Sequence, residues 1–164
     1  MTKVLLLSDT HGHIDDSILK YAAEADEIWH AGDIGKLEIT DKLKALKPVR
    51  AVFGNIDDHM IQREFPEHNR FFCEGVDVWI THIGGYPDKY NVRVRDEIKR
   101  NPPKLFISGH SHILKVMNDK KLKLLHMNPG ACGKHGLHRV RTMLRFVIDG
   151  ENISDLEVIE LGKN

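Results

Sequence analysis

Seven side chains with metal-binding chemistry follow short, glycine-containing turns in this sequence. They are two carboxylates, one carboxamide and four imidazoles: Asp9, His11, Asp33, Asn55, His82, His110 and His112. Mixed nitrogen and oxygen donors suit divalent Mn, Fe, Co, Ni or Zn, whereas calcium prefers an all-oxygen shell. Seven donors are too many for one tetrahedral ion but suit two ions that share a carboxylate. Two ions roughly 3.5–4 Å apart can clamp the attacking and leaving oxygens of a phosphoryl displacement.

The sequence places these side chains at the ends of predicted strands. Buried-strand patterns cover Val4–Leu7, Glu27–His30 and Val49–Phe53, and helical periodicity between them predicts helices over Asp15–Ala25 and Leu37–Leu46. Alternation of strand and helix is typical of a parallel sheet with crossover helices. Ligands of such sheets collect outside the carboxyl ends of the strands, so we expect these turns to meet at one rim.

The second half of the chain is predicted to be richer in strands. Three strand pairs are predicted around tight turns: Arg70–Glu74 with Val76–Thr81, Leu114–Met117 with Leu122–Met127, and Met143–Ile148 with Ile153–Leu161. A further strand over Leu105–Ser108 leads into His110, and one helix is expected over Val92–Arg100. We therefore predict an α/β fold with two sheets packed face to face and helices outside, formed by residues 1–164 as a single domain.

Composition limits the class of partner and the compartment. The chain has 24 basic residues (Lys plus Arg) and 24 acidic residues (Asp plus Glu). Because sequence-independent binding of nucleic acid needs an excess of basic residues, we expect no strong nucleic-acid binding. Cys73 and Cys132 form no CxxC pair and are predicted to be reduced thiols. The first apolar run, Val4–Leu7, is too short for a signal peptide or a membrane span, so a cytoplasmic protein without membrane attachment is expected. An exposed edge strand could pair with that of a second copy of the chain, so a homo-oligomer is one expected possibility.

The order of the short motifs carries a family resemblance. DTHG at Asp9–Gly12, GDIG at Gly32–Gly35, GNID at Gly54–Asp57, TH at Thr81-His82 and GHSH at Gly109–His112 resemble the ordered signature of the calcineurin-like metallophosphoesterases. The spacing is similar to that of the small YfcE-type phosphodiesterases, and the match runs to NPGA at Asn128–Ala131. Each motif alone is weak, but five in order, each behind a predicted strand, are specific.

This resemblance implies a four-layer αββα sandwich, a mixed two-sheet metallophosphatase fold, with two divalent ions per chain. Manganese is expected first, with nickel, cobalt, iron or zinc as alternatives. Asp9, His11, Asp33 and His112 would hold one ion. Asp33, Asn55, His82 and His110 would hold the other, with Asp33 bridging. The expected reaction is hydrolysis of a small phosphate diester by direct attack of a metal-bridging hydroxide, without a protein nucleophile.

Ile56 departs from the motif of many relatives, in which a histidine follows the asparagine and is thought to protonate the leaving group. Isoleucine has no proton to give, and a missing general acid typically costs about 10²–10⁴ in rate. We therefore expect good hydrolysis of aryl diesters and slow turnover of unactivated alkyl esters.

The motif residues, and other polar residues near them, also have explanations that involve no metal. Taken singly, Asp9, Asp33 and Asn55 fit turn chemistry, and His82 fits a buried structural histidine. Asp57 is expected to orient Asn55 or to cap the turn over Asp58–Glu64. The remaining candidates for structural, solvent-facing or supporting roles are His13, His30, His59, His68 and His126, and a basic stretch of His135, His138 and Arg139 either is a solvated loop or helps to hold a substrate phosphate.

Three rival functions remain open from the sequence. A phosphomonoesterase would need an additional cation near the metals, for which Arg50, Arg63 and Arg139 are candidates. A protein-binding scaffold similar to the retromer subunit of this fold is disfavoured because all seven candidate ligands are present. A nuclease is disfavoured because it needs an extended basic groove.

Overall fold

The computed structural model describes all 164 residues, as twelve strands and four helices. In chain order they are β1 (Thr2–Leu7), α1 (Asp16–Glu24), β2 (Glu27–His30), α2 (Leu37–Lys44), β3 (Val49–Ala51), α3 (His59–Glu64), β4 (His68–Cys73), β5 (Val76–Thr81), β6 (Gly85–Tyr86), β7 (Lys89–Tyr90), α4 (Arg95–Arg100), β8 (Leu105–Ile107), β9 (Leu114–Asp119), β10 (Leu124–Pro129), β11 (Val140–Asp149) and β12 (Asn152–Lys163).

The first sheet has five strands in the order β12-β11-β1-β2-β3. β1, β2 and β3 are parallel, and β11 pairs with β1 in the antiparallel sense. Val4–Leu7 is buried at every position, because β1 is central and both faces of the sheet are covered. That double burial explains why the sequence shows a continuous apolar run there instead of alternation. The carboxyl ends of the three parallel strands therefore meet at one rim.

The second sheet has five strands in the order β4-β5-β8-β10-β9. Its central strands β5, β8 and β10 run parallel, whereas β4 and β9 are antiparallel edges. β8 is short and wholly buried, as its sequence LFI indicates. The turns that follow β5 and β8 therefore leave the same end of this sheet.

Three apolar clusters separate four layers. One lies between the two sheets and contains Trp29, Ile80 and Phe146. A second lies between the first sheet and α1–α3, and a third, around Trp79 and Phe106, is covered by Ile98 of α4. The αββα sandwich that the resemblance implies is confirmed. Cys73 and Cys132 are free and buried in different clusters.

Several predicted element boundaries were wrong. The helix expected over Val92–Arg100 begins only at Arg95, because Val94 and Arg95 first close turns onto Asn91. The turn expected over Asp58–Glu64 is the short helix α3, and the β6–β7 hairpin was not predicted. Its strands have two residues each, too few for a period-two pattern, although Pro87-Asp88 is a turn signal. None of the helices is both long enough and apolar enough to cross a membrane.

Candidate metal centre

The fold brings all seven sequence-predicted ligands to one rim between the two sheets. Asp9 and His11 follow β1, Asp33 follows β2, and Asn55 follows β3. The other sheet contributes His82 after β5 and the histidines at positions 110 and 112 after β8. Six of the seven residues form two groups whose ligand atoms lie within 4.8 Å of one another: Asp9, His11 and His112, and Asp33, His82 and His110.

Distances between the ligand atoms join the two groups through the carboxylates. The Nε2 atom of His112 lies 3.2 Å from Asp9 Oδ1, and that of His82 lies 3.2 Å from Asp33 Oδ2. His11 Nε2 lies 3.3 Å from the same oxygen of Asp33 and 3.7 Å from Asp9 Oδ1. Asn55 joins the second group because its Oδ1 is 3.0 Å from His110 Nδ1. Asp33 thus lies between histidines of both groups.

Three buried polar atoms at this point have no hydrogen-bond partner: Asp9 Oδ1, His11 Nε2 and His82 Nε2. Unpaired buried polar atoms are rare and costly, at about 1–3 kcal/mol each. Here they are the atoms that face one another across the centre. A divalent cation satisfies carboxylate oxygens and imidazole nitrogens together, so the donor set fits metal ions of the borderline class.

The outer atoms of the same side chains are held by the protein. Ser8 Oγ donates to Asp9 Oδ2 over 2.6 Å, and the Ile56 backbone N–H donates to Asp33 Oδ1 over 3.1 Å. His82 Nδ1 lies 2.7 Å from the carbonyl oxygen of Ala31, which fixes the proton on Nδ1 and leaves Nε2 unprotonated in the neutral ring. These three candidate ligands are therefore held with their other ligand atom towards the centre, as supporting hydrogen bonds orient ligands in metal sites.

Backbone conformation contributes to this orientation. Five of the seven residues have a positive φ: Asp9 at 56°, His11 at 45°, Asp33 at 55°, His110 at 70° and His112 at 62°. Such conformations cost about 1–3 kcal/mol each for residues other than glycine and cluster at functional sites. The turns are thus strained in a way that directs consecutive polar side chains into the rim.

Neighbouring glycines allow the loops to approach one another. A Cβ atom on Gly54 would collide with the backbone nitrogen and carboxylate of Asp33, and one on Gly109 would collide with Ser8 Oγ. Neither glycine has a positive φ, so the requirement at both positions is space. This explains why a glycine precedes the asparagine of the third motif and the histidines of the last.

Asp57 ties two of the ligand loops together. It is 4% exposed, and its carboxylate accepts hydrogen bonds from the backbone N–H groups of Ile34 (3.1 Å), Gly35 (2.8 Å) and Gly54 (2.8 Å). The expectation that it caps the following turn was wrong, since the cap of α3 is Asp58. Its hydrogen bonds go to the backbone just after Asp33 and just before Asn55, and not to the Asn55 side chain.

His30 has the structural role expected from the sequence. Its Nδ1 accepts from the Gly32 N–H over 3.1 Å, so Nε2 carries the proton and donates to Thr10 Oγ1 over 3.0 Å. The Thr10 hydroxyl in turn donates to the Ile34 carbonyl. Complete burial lowers the pKa of His30 to about 4, so the ring is neutral. This chain of hydrogen bonds connects the first two ligand loops.

The electrostatics of the centre favour cations. Burial opposes ionisation of Asp9 and Asp33, but their close histidines outweigh it and hold both carboxyl pKa values well below the ordinary range. The Asp33 and Asp9 carboxylates raise the pKa of His11 to about 9. A proton on His11 therefore occupies, in the metal-free protein, a position that a metal ion would take.

The basic stretch after Asn128–Ala131 lies against the centre. The His135 ring stacks on His11 with 4.6 Å between centroids, and His138 meets His112 edge-on at 5.3 Å. The sequence left open whether this stretch is a solvated loop, and the structure places both rings beside candidate ligands. His13 instead binds Asp15, the N-cap of α1, and His59 and His68 are exposed.

Comparison with known proteins identifies the family. The model of the calcineurin-like phosphoesterase superfamily domain matches residues 2–151. The chain belongs to this superfamily. The resemblance predicted from the five motifs is confirmed, and the superfamily implies divalent metals at a centre of this composition. A Methanocaldococcus jannaschii protein named as a probable metallophosphoesterase is 31% identical over 135 residues, covering 77% of this chain and 66% of that relative. The match thus spans slightly less than two thirds of the relative's length.

Solved structures share the fold at low sequence identity. A protein described as a novel archaeal phosphodiesterase superposes with a TM-score of 0.72 and 21% identity over 97% of this chain and 99% of its own. Vps29 from Entamoeba histolytica in complex with zinc gives 0.74 and 16% identity, over 96% and 98% of the two chains. Vps29 from Chaetomium thermophilum gives 0.75 and 13% identity over the whole of both chains. These likenesses establish a common architecture.

Proposed function

We propose that this protein is a phosphodiesterase that uses two divalent metal ions and in which water attacks phosphorus directly. The observation that carries the proposal is the convergence of the unpartnered atoms Asp9 Oδ1, His11 Nε2 and His82 Nε2 on one point at the rim. Bound divalent ions would supply a water nucleophile at neutral pH and neutralise charge on the phosphoryl oxygens. The superfamily and the archaeal phosphodiesterase of the same fold support this reaction class.

The chain's own residues would position the reaction. We infer that one ion is held by Asp9, His11, His112 and Asp33. The other ion is held by Asp33, Asn55, His82 and His110. Ser8 and the Ile56 N–H keep the two carboxylates in place, so the ligands need little rearrangement. The rim contains no serine or cysteine paired with a histidine, and Cys73 and Cys132 are buried away from solvent, so we assign no protein nucleophile.

The Ile56 side chain lies at the surface, 47% exposed, and offers no acid to the leaving group. We therefore propose a preference for diesters whose leaving group departs without protonation. Replacement of Ile56 by His should raise turnover of an alkyl ester relative to an aryl ester, by up to about 10²–10⁴ if a proton is delivered. An unchanged ratio would show that position 56 does not determine the leaving-group preference.

The test of the function uses metal-depleted protein restored with Mn, Ni, Co, Fe, Zn or Mg. Each sample is assayed with bis(p-nitrophenyl) phosphate and with p-nitrophenyl phosphate, and single turnover in ¹⁸O-water should place one label in each product phosphate. The variant H112Q should lose more than about 100-fold activity, because loss of even a supporting partner costs 10–100-fold. The matched variant H68Q changes an exposed histidine on β4 and should retain activity.

Two other outcomes would redirect the proposal. Faster hydrolysis of the monoester than of the diester would favour a phosphomonoesterase. Arg50 does not supply the additional cation for it, since its guanidinium binds Glu27 over 2.8 Å and lies 4.2 Å over the Phe71 ring. Inactivity with every metal would favour the alternative of a protein-binding scaffold that the sequence resemblance raises.

A further inference from the structure

A cleft of about 210 Å³ opens beside the candidate metal centre, with His110 in its wall. It lies between the β6–β7 hairpin and the ends of β8, β9 and β10. The residues that line it are Ile83, Gly84, Gly85, Tyr86, Asn91, Gly109, His110, Ser111, Ile113, Lys115, His126 and Asn128. Since His110 belongs to both, the cleft adjoins the candidate metal centre directly.

The hairpin that closes the cleft is held in place from two sides. Ser108 Oγ donates to the Gly85 carbonyl over 3.1 Å, and Tyr90 OH donates to Asp119 Oδ2 over 2.7 Å. Tyr86 on this hairpin packs under Lys115 of β9, whose Nζ lies 3.6 Å from the ring centroid. The cleft is therefore a built feature of the fold and not a gap under a free loop.

Lys115 brings the cationic charge of the cleft. It forms no ion pair with a carboxylate anywhere in the structure, unlike Arg93 near the opposite side of the rim, which faces Glu67 at 3.6 Å. Contact with the face of an aromatic ring leaves the ammonium donors able to bind an acceptor. The charge is thus available to a bound group.

His126 brings an acceptor to the same cleft. His126 and Asn128 are two residues apart on β10 and therefore point to the same face of the sheet. Lys115 of β9 pairs with Asn128, so all three side chains share that face. The ring is 1% exposed, and its Nδ1 lies 3.1 Å from the Phe106 carbonyl, which fixes the proton on Nδ1. Burial lowers the pKa of His126 to about 4, so the ring is neutral and Nε2, which has no hydrogen-bond partner in the protein, accepts only.

The size and the mixed lining of the cleft restrict the group that fits. Only three of its twelve lining residues are hydrophobic, yet most of the surface they expose together is apolar, so the cleft suits a ring with an apolar face and polar edges. Its volume is below the 300–1,000 Å³ of sites for drug-sized ligands, so it takes a single ring-sized group and not an oligomer. Complementarity requires an acceptor for Lys115 and a donor for His126.

We propose that this cleft binds the retained ester group of the substrate, a polar ring of the sugar or nucleobase kind, and that Lys115 determines specificity for it. The proposal builds on the phosphodiesterase function stated above and names the substrate class. Thymidine 5′-(p-nitrophenyl phosphate) carries such a group, with hydroxyl and imide donors and carbonyl acceptors. Methyl p-nitrophenyl phosphate has the same leaving group and leaves the cleft empty.

The test compares kcat/KM for these two esters in the wild type, K115M, K115R and the matched control K120M, which alters an exposed lysine on the turn after β9. Loss of a hydrogen bond to a charged group should lower kcat/KM for the thymidine ester about 10- to 100-fold in K115M, with partial recovery in K115R. The methyl ester should be turned over unchanged in all four proteins. Equal effects of K115M on both esters, or on neither, would overturn the proposal.

Calorimetric binding of the thymidine ester separates this inference from the proposed function. If the manganese-loaded protein hydrolyses neither ester, the phosphodiesterase assignment fails, and binding then decides the role of the cleft. Binding that is present in the wild type and K120M but lost in K115M supports the cleft as a ligand site. Binding that is absent from the wild type, or equal in all variants, refutes it.

Discussion

Replacement of Asp57 by Asn should damage the protein out of proportion to the size of the change. The carboxylate accepts three backbone hydrogen bonds while buried, and it joins the loop of Asp33 to the loop of Asn55. The asparagine amide keeps one oxygen, which can still accept from Ile34 and Gly54 as a neutral group. Its NH₂ then faces the Gly35 N–H, so two donors meet.

The magnitude follows from these contacts. A hydrogen bond to a charged group contributes about 1.5–3 kcal/mol, and a neutral one contributes about 0.5–1.5 kcal/mol. Loss of one bond and weakening of two should cost about 4 kcal/mol of unfolding free energy at the lower end of these ranges. For a domain of this size each kcal/mol lowers Tm by about 2–4 °C, so a fall of about 8–16 °C is expected. Metal affinity should fall about 10- to 100-fold, because both ligand loops lose a supporting contact.

Thermal unfolding of the metal-free protein measures the first effect, and calorimetric titration with Mn²⁺ measures the second. D58N is the control, since Asp58 caps α3 through Met60 and Ile61 at the surface and Asn is nearly as good a cap as Asp. Equal Tm values for D57N and D58N, with unchanged manganese affinity, would refute the assignment of Asp57 as the link between the loops.

Three further outcomes are expected. In G54A the added Cβ would collide with Asp33, so manganese binding should be lost by calorimetry, whereas retention of wild-type affinity would show that the loops can separate freely. Manganese at 100 times its Kd should raise the unfolding free energy by about 2.7 kcal/mol per independent site, and no shift in Tm would count against a preformed centre. Burial lowers the pKa of His126 to about 4 from an ordinary 6.5. Between these pH values the unfolded chain binds a proton at this residue and the folded protein does not. The free energy of unfolding therefore decreases as the pH falls from 6.5 towards 4. In urea titrations the stability difference between wild type and H126Q should therefore narrow by about 2 kcal/mol between pH 6.5 and 5, and a constant difference would contradict the neutral state of the ring.

Much of the first sheet could be predicted because each element there has a strong local signal. The strand Glu27–His30 was predicted with the bounds that it has, since a buried run lies between a helix and a glycine turn. The two-residue loop that joins β11 and β12 was likewise signalled by Asp149-Gly150. Motif order then sufficed to predict that the seven candidate ligands lie together, since parallel strands end at a common rim.

Contacts made by side chains across loops could not be predicted in the same way. Nothing local distinguishes Asp57, which holds two loops, from Asp58, which caps a helix, because two of the three partners of Asp57 lie more than 20 residues away along the chain. Lys115 stands in a strand of ordinary mixed composition, and its place in the cleft depends on the β6–β7 hairpin. Hairpins of two-residue strands carry too little pattern to be placed from sequence alone.

The candidate ligand set is divided between the two sheets, four members from the first and three from the second. No contiguous fragment of the chain could therefore assemble the centre. Bound ions would add to the hydrogen bonds that already join the two sheets at this edge, such as that between His82 and the Ala31 carbonyl. Metal binding would then require that both sheets are packed together. Loss of the metal would weaken the contact between the two sheets at this edge before it disturbed either sheet.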